Sequence, residues 1–110
     1  MIREFISTSV FDRRWDNLSL TDDDLRELQN FIMKNPSAGD VIVGAGGAMK
    51  VRYALPGRGK SSGARVIYVD ITHKSKVYFL LCYGKHEQDD LTDSQKKQLE
   101  ILIKALKGEL

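Results

Sequence analysis

The sequence predicts an α+β domain: a small, largely antiparallel four-stranded sheet with two helices near its N-terminus and one at its C-terminus. Three observations carry the prediction. Apolar residues recur at helical spacing in two stretches, Leu25, Leu28 and Ile32 and then Leu99, Leu102, Ile103 and Leu106. Between them stand three strand-like runs, 50–55, 65–71 and 76–83, joined by turns short enough for antiparallel neighbours. The chain has 110 residues, of which 42% are hydrophobic, which suffices for one core and one domain spanning 1–110.

The elements follow in order. Residues 2–7 are apolar-rich and predict the first strand, and 11–17 a short helical turn. Thr21 followed by Asp22, Asp23 and Asp24 is a helix start, because the hydroxyl caps free amides and the acids suit the positive end of the helix dipole. Asn35-Pro36 ends that helix near Lys34, since the residue before proline avoids helical backbone. The glycines of Gly44-Ala45-Gly46-Gly47 then break the chain. Run 50–55 alternates, with Lys50, Arg52 and Ala54 on one face and Val51, Tyr53 and Leu55 on the other. A basic glycine-rich turn, 56–63, leads into the β-branched run 65–71. Residues 72–75 make a hairpin turn into the most apolar run, which Gly84 ends. Thr92 with Gln95 has the form of a capping box, and Gly108 lies where a C-cap falls, so the last helix covers about 93–107.

Composition excludes several classes. No apolar run reaches the roughly 18 residues of a membrane span. Residues 1–8 lack the apolar core of a secretory leader, and the single cysteine, Cys82, leaves no intramolecular disulfide and no cysteine-rich zinc site. A reduced, cytoplasmic protein is expected.

Net charge is only +2, but its distribution is uneven. From Lys50 to His86 there are eight basic residues and one acid, Asp70, so this stretch carries +7 and the remainder −5. Such a surface favours a polyanion; lysines that merely protect sheet edges are the plainer reading. Two phosphate-loop lookalikes fail. Arg58-Gly59-Lys60-Ser61 lacks the first glycine, with Ala54 in its place, and leads into a strand instead of a helix. Gly44-Ala45-Gly46-Gly47 has Met49 at the third glycine position of a dinucleotide fingerprint.

An antiparallel meander would gather Lys50 and Arg52, Arg65, and the pair Lys85-His86 on one concave surface. Four cations and an imidazole without a metal-ligand set suit metal-independent work on a phosphodiester. Cutting RNA needs a base for the ribose 2′-OH, cations for the crowded transition state, and an acid for the departing oxygen. His86 titrates in the right range to be the base, and Lys50, Arg52, Arg65 and Lys85 would hold the phosphate. Arg58, Lys60, Lys74 and Lys76 would extend the contact along the RNA, and Tyr83 is the aromatic placed to stack on a base. His73, in a hairpin turn, reads as a surface residue, and Cys82 as a buried small hydrophobe.

Three stretches together resemble a known family. They are Gly46-Gly47-Ala48-Met49-Lys50-Val51-Arg52, then Gly57-Arg58-Gly59-Lys60-Ser61-Ser62-Gly63-Ala64-Arg65-Val66-Ile67-Tyr68, then Tyr83-Gly84-Lys85-His86-Glu87-Gln88-Asp89-Asp90-Leu91-Thr92. The set is similar to the HigB branch of the RelE/ParE toxin superfamily. The resemblance implies a RelE-like fold and a type II toxin that cuts mRNA in the A site of the translating ribosome without metal or other cofactor. It implies as partners the small subunit with its rRNA, the mRNA, and a cognate antitoxin with a helix-turn-helix domain, through which alone operator DNA is reached. It maps the family's basic site residues onto Lys50, Arg52, Arg65, Lys85 and His86. The late tyrosine of RelE-type sites is matched by Thr92, which moves the expected base to His86, with Lys50 as the alternative. A second implied reading is a ParE-like toxin that cuts no RNA and acts by binding, for example to DNA gyrase.

Overall fold

The computed structural model describes residues 2–53, 63–84, 87–88 and 90–108. The chain order is β1 (Glu4–Ser7), α1 (Ser9–Asn17), α2 (Asp22–Lys34), β2 (Asp40–Val41), β3 (Met49–Tyr53), β4 (Ala64–Ile71), β5 (Lys76–Gly84) and α3 (Asp93–Lys107). Among the described residues the strands form one five-stranded sheet in the order β1-β5-β4-β3-β2. The α+β class and the helix order are as expected; the strand count is corrected from four to five. The added strand, β2, is two residues long and exposed, too short for periodicity to announce. Pairings are antiparallel except β1 with β5, which is parallel. The expected turn at 11–17 is a full helix that begins at Ser9, because Thr8 caps it by accepting from the Phe11 amide. Strand β3 starts one residue earlier than expected, at Met49, and Ala54 and Leu55 lie outside the described residues.

Helices α2 and α3 occupy the expected spans, and each begins with a two-way capping box, Thr21 with Asp24 and Thr92 with Gln95. Gly108, at φ 80°, closes α3 in the left-handed conformation. Gly46 (φ +71°) lets the turn after β2 lie against α3, where an added Cβ would sit 3.0 Å from the Glu100 Cα.

The sheet separates two apolar layers. On one face Val51, Ala64, Val66, Tyr68, Val77, Phe79 and Cys82 pack against Phe11 and Trp15 of α1 and Leu28 and Ile32 of α2. On the other, Ile67, Val69, Ile71, Leu80 and Tyr83 pack beneath Leu99 and Ile103 of α3. Leu80 and Leu81 are consecutive yet both belong to the α3 layer. A register shift next to Ile67/Tyr68 causes this: Ile67 faces Leu81, Tyr68 faces Phe79, and Leu80 is the extra residue of a bulge. The Leu80 carbonyl is satisfied by the Thr8 hydroxyl at 2.9 Å.

Strand β1 is secured at its start by Arg3, whose guanidinium grips Asp70 with two hydrogen bonds of 2.7 and 3.2 Å in a nearly buried pair. The Tyr68 hydroxyl donates to the Pro36 carbonyl and accepts from the Gly39 amide, both at 2.9 Å, and so fixes the segment between α2 and β2.

Cys82 is the small buried hydrophobe that its place in the sequence suggested. It is 0% exposed, its thiol points at the Phe11 carbonyl, and burial pushes its pKa up to about 12. Two outcomes are expected. An aqueous thiol reagent at pH 8 should label Cys82 only in denaturant, as read by mass spectrometry. The stabilisation from keeping the thiol neutral is full below the unfolded-state value of about 9. It should fade as pH rises through about 12, because the folded thiol holds its proton there after the unfolded one has lost it.

Candidate functional site

Strand register assembles the site. Arg52 of β3 stands directly opposite Arg65 of β4, and Arg65 directly opposite Tyr83 of β5. Directly paired residues of adjacent strands hold their Cβ atoms about 5 Å apart, so the three form a row across the sheet. Lys50 is two residues from Arg52 and shares its face, about 7 Å along the strand. This is the face that carries Ile67 and Tyr83, the side on which α3 packs. The elements are where they are for local reasons: alternation puts Val51 into the core and turns Lys50 and Arg52 to the opposite face. The bulge at Leu80 does the same for Tyr83, which without it would share the side of Val77 and Phe79.

Gly63 draws the two arginines together. The Arg65 Nη1 donates to the Gly63 carbonyl at 3.3 Å. A Cβ on Gly63 would lie 3.2 Å from the Arg52 Nε and 3.2 Å from the Tyr53 carbonyl oxygen, so the absence of a side chain lets Arg52 lie across this residue. Lys50 is held from the other side. Its ammonium donates to Asp90 Oδ1 at 2.9 Å. Asp90 is placed by the start of α3: Gln88 donates to the Asp90 carbonyl at 2.8 Å and to Gln95 Oε1 at 3.1 Å, and Gln95 belongs to the Thr92 capping box. The hydrogen bond from Lys50, and then its charge, holds the Asp90 carboxyl below its usual value of 3.8. A carboxyl depressed in this way stabilises the fold above its unfolded-state pKa and stops doing so as pH falls through the lower folded value. An NMR titration should therefore place the Asp90 midpoint below 3.8 in the wild type and return it towards 3.8 in Lys50→Met.

The expected residues divide into three groups. Lys50, Arg52, Arg65 and Tyr83 share one face at one end of the sheet. Arg58, Lys60, Lys85 and His86 lie outside the described residues. Lys74 and Lys76 are not brought to the row. Lys74 donates to the Leu106 carbonyl at 2.7 Å in the last turn of α3, and Lys76 pairs in register with Glu4 and Ile71. From Arg65 to Ile71 is six residues of extended strand, roughly 20 Å. Lys74 thus serves the negative end of a helix. The idea of Tyr83 as a base-stacking platform is also corrected: the residue is 0% exposed, packed in the layer under α3, and its ring offers no face to solvent.

Two site residues escaped the sequence reading, Gly63 and Asp90. Both lay inside the matched motifs, but neither spacing nor residue type said that one seats two arginines and the other grips a lysine. Among the described residues no cluster of three His, Cys, Asp or Glu side chains could hold a metal ion. None of the described helices is long and apolar enough to cross a membrane.

The geometry is thus a small α+β domain with two guanidinium groups in register at one end of its sheet. The chain belongs to the RelE toxin family: residues 4–109 match the sequence model of the RelE toxin of the RelE/RelB toxin–antitoxin system. Among solved structures it is similar to a free-state mutant of the E. coli toxin RelE in which two arginines are replaced by alanine. The TM-score is 0.53 and the identity 17%, over 81% of this chain and 90% of that one, which is a likeness of fold. A looser likeness, with a TM-score of 0.40 and 10% identity over 82% of this chain and 100% of the other, is to the E. coli DinJ–YafQ toxin–antitoxin complex.

Proposed function

We propose that this RelE-family toxin is a metal-independent endoribonuclease that cuts mRNA in the A site of the translating ribosome. The observation that supports this best is the register Arg52–Arg65–Tyr83 with Lys50 on the same face, an arrangement suited to binding one phosphodiester. In this reading Arg52 and Arg65 bind the non-bridging phosphate oxygens through their planar forks and gain strength as the phosphorus becomes five-coordinate. Lys50 adds a third charge. His86, two residues beyond Gly84, takes the 2′-OH proton. The O2′–P bond forms, the P–O5′ bond breaks, and the departing oxygen takes a proton from Lys85 or from solvent, leaving a 2′,3′-cyclic phosphate. Arg58 and Lys60 supply further phosphate or rRNA contacts, and Tyr83 stands beside Arg65 on the next strand. Lys74 and Lys76 are left for the far end of the ribosome contact.

The reading extends to partners. A cytoplasmic antitoxin with a DNA-binding helix-turn-helix domain would neutralise the toxin and carry it to operator DNA, and the motif set resembles that of HigB-type members. The test is to induce the protein and map mRNA 5′ ends. Cuts phased with codons and dependent on ribosomes, with an EDTA-treated arm on naked RNA, support the reading. Growth arrest with altered DNA supercoiling and no cuts would replace it with a toxin that acts by binding gyrase.

A further inference from the structure

We infer that Glu87 and Arg14 are positioning residues for the cut: their ion pair anchors to helix α1 the chain segment in which Lys85 and His86 lie. This rests on the ribonuclease reading above.

Three ties make the anchor. The Glu87 amide donates to the Gly84 carbonyl at 3.0 Å. The Glu87 carboxylate turns back on the same residue, its Oε1 accepting from the Gly84 amide at 3.2 Å. Its other oxygen, Oε2, accepts from Arg14 Nη1 at 2.7 Å. Lys85 and His86 fall between Gly84 and Glu87 in sequence, so the residues at both ends of that pair are held. Gly84 pairs in register with Ala64, the step next to Arg65 with Tyr83, which puts the anchor one residue from the arginine row. Arg14 gives it a firm base. It belongs to α1, whose Phe11 and Trp15 are buried and stack on each other with ring centroids 5.4 Å apart.

Both carboxylate oxygens of Glu87 are engaged, one of them by a guanidinium, so Glu87 is not set up to take a proton from RNA. Nor does stability account for it: both side chains are partly exposed, at 37% and 47%, and such ion pairs add little. An acid beside a surface that binds a polyanion also weakens the attraction. What the pair holds in place explains it better, since a misplacement of about 1 Å at a reacting group can slow a reaction about 100-fold.

The two accounts of Glu87 predict opposite signs. If it is a bystander acid, Glu87→Ala removes a repulsion, tightens ribosome binding and leaves the saturated rate unchanged. If it is a positioning residue, the saturated rate itself falls.

The test is single-turnover cleavage on programmed ribosomes over a range of ribosome concentrations, for Arg14→Ala, Glu87→Ala and the double variant. Each single variant should lose about tenfold in saturated rate, and Glu87→Ala should bind ribosomes no more weakly than the wild type. The double variant should lose no more than the worse single one, because the two residues act as a unit. Arg14→Lys should recover most of the rate, as an ammonium also donates to Oε2. Glu87→Gln keeps an acceptor for the Gly84 amide but not the charge, and should fall between Glu87→Ala and the wild type. Melting temperatures should stay near that of the wild type. A Glu87→Ala protein that cuts at or above the wild-type saturated rate overturns the inference. So do losses that simply multiply in the double variant, and so does a rate loss that follows a lowered melting temperature in Glu87→Gln as in Glu87→Ala. No cleavage by the wild type refutes the nuclease reading itself and takes this inference with it.

Discussion

Arg65→Ala should slow mRNA cleavage on programmed ribosomes about 100-fold while the protein still folds. Arg65 occupies the middle of the row, with Arg52 on one side and Tyr83 on the other, and its guanidinium is aimed by the Gly63 carbonyl. Loss of one preorganised donor to a developing oxyanion costs about 2.7–4 kcal/mol, and each 1.36 kcal/mol is tenfold in rate. The loss should fall on the chemical step in single-turnover measurements. Arg65→Lys should recover only part of it, because an ammonium keeps the charge but not the two-pronged geometry. A variant within threefold of wild type would remove Arg65 from the reaction. His86→Ala should give a loss of similar size and also flatten the acidic limb of the pH–rate profile, as expected for removal of a group that titrates near neutrality.

The second large effect is on stability. Phe79→Ala should destabilise the fold by about 3–5 kcal/mol, the range for emptying a buried aromatic site. Phe79 is fully buried and stacks on Phe5 at 5.6 Å and on Phe11 at 5.2 Å between ring centroids, so one side chain joins β1, β5 and α1. Urea denaturation should show a lower midpoint, and hydrogen exchange should show β1 losing protection first, since that strand has only four residues of pairing. If midpoint and exchange stayed at wild-type values, this aromatic stack would not be what fastens the first strand to the sheet.

How much was legible in the sequence varies with the range of the physics. Helix ends were readable because caps are local: Thr21 with Asp24, Thr92 with Gln95 and Gly108 each act within a few residues. The alternation of β3 was readable for the same reason, and so was the shared face of Lys50 and Arg52. That Arg52 meets Arg65 was an expectation from a meander, and it needed the register, which the intervening turn does not spell out. The pairing of β1 parallel to β5 joins residues more than seventy positions apart, as in Glu4 with Lys76, and no local signal encodes it. Tyr83 was misjudged because it adjoins Gly84-Lys85-His86 in sequence, whereas its neighbourhood in space is the α3 layer. Asp90 carries no local signal of its role, and only the approach of β3 makes it the partner of Lys50.

The extra residue at Leu80 gives β5 two reading phases. Before it, odd-numbered positions look toward α1; after it, even-numbered ones do. Removing one residue at that point would leave the Phe79 end seated and rotate the other end by half a pleat, driving the Cys82 thiol toward α3 and turning Tyr83 away from the face that carries Arg65. In this strand the number of residues is thus as much a part of the fold's inheritance as any side chain: an alanine at position 80 should be tolerated far better than a gap.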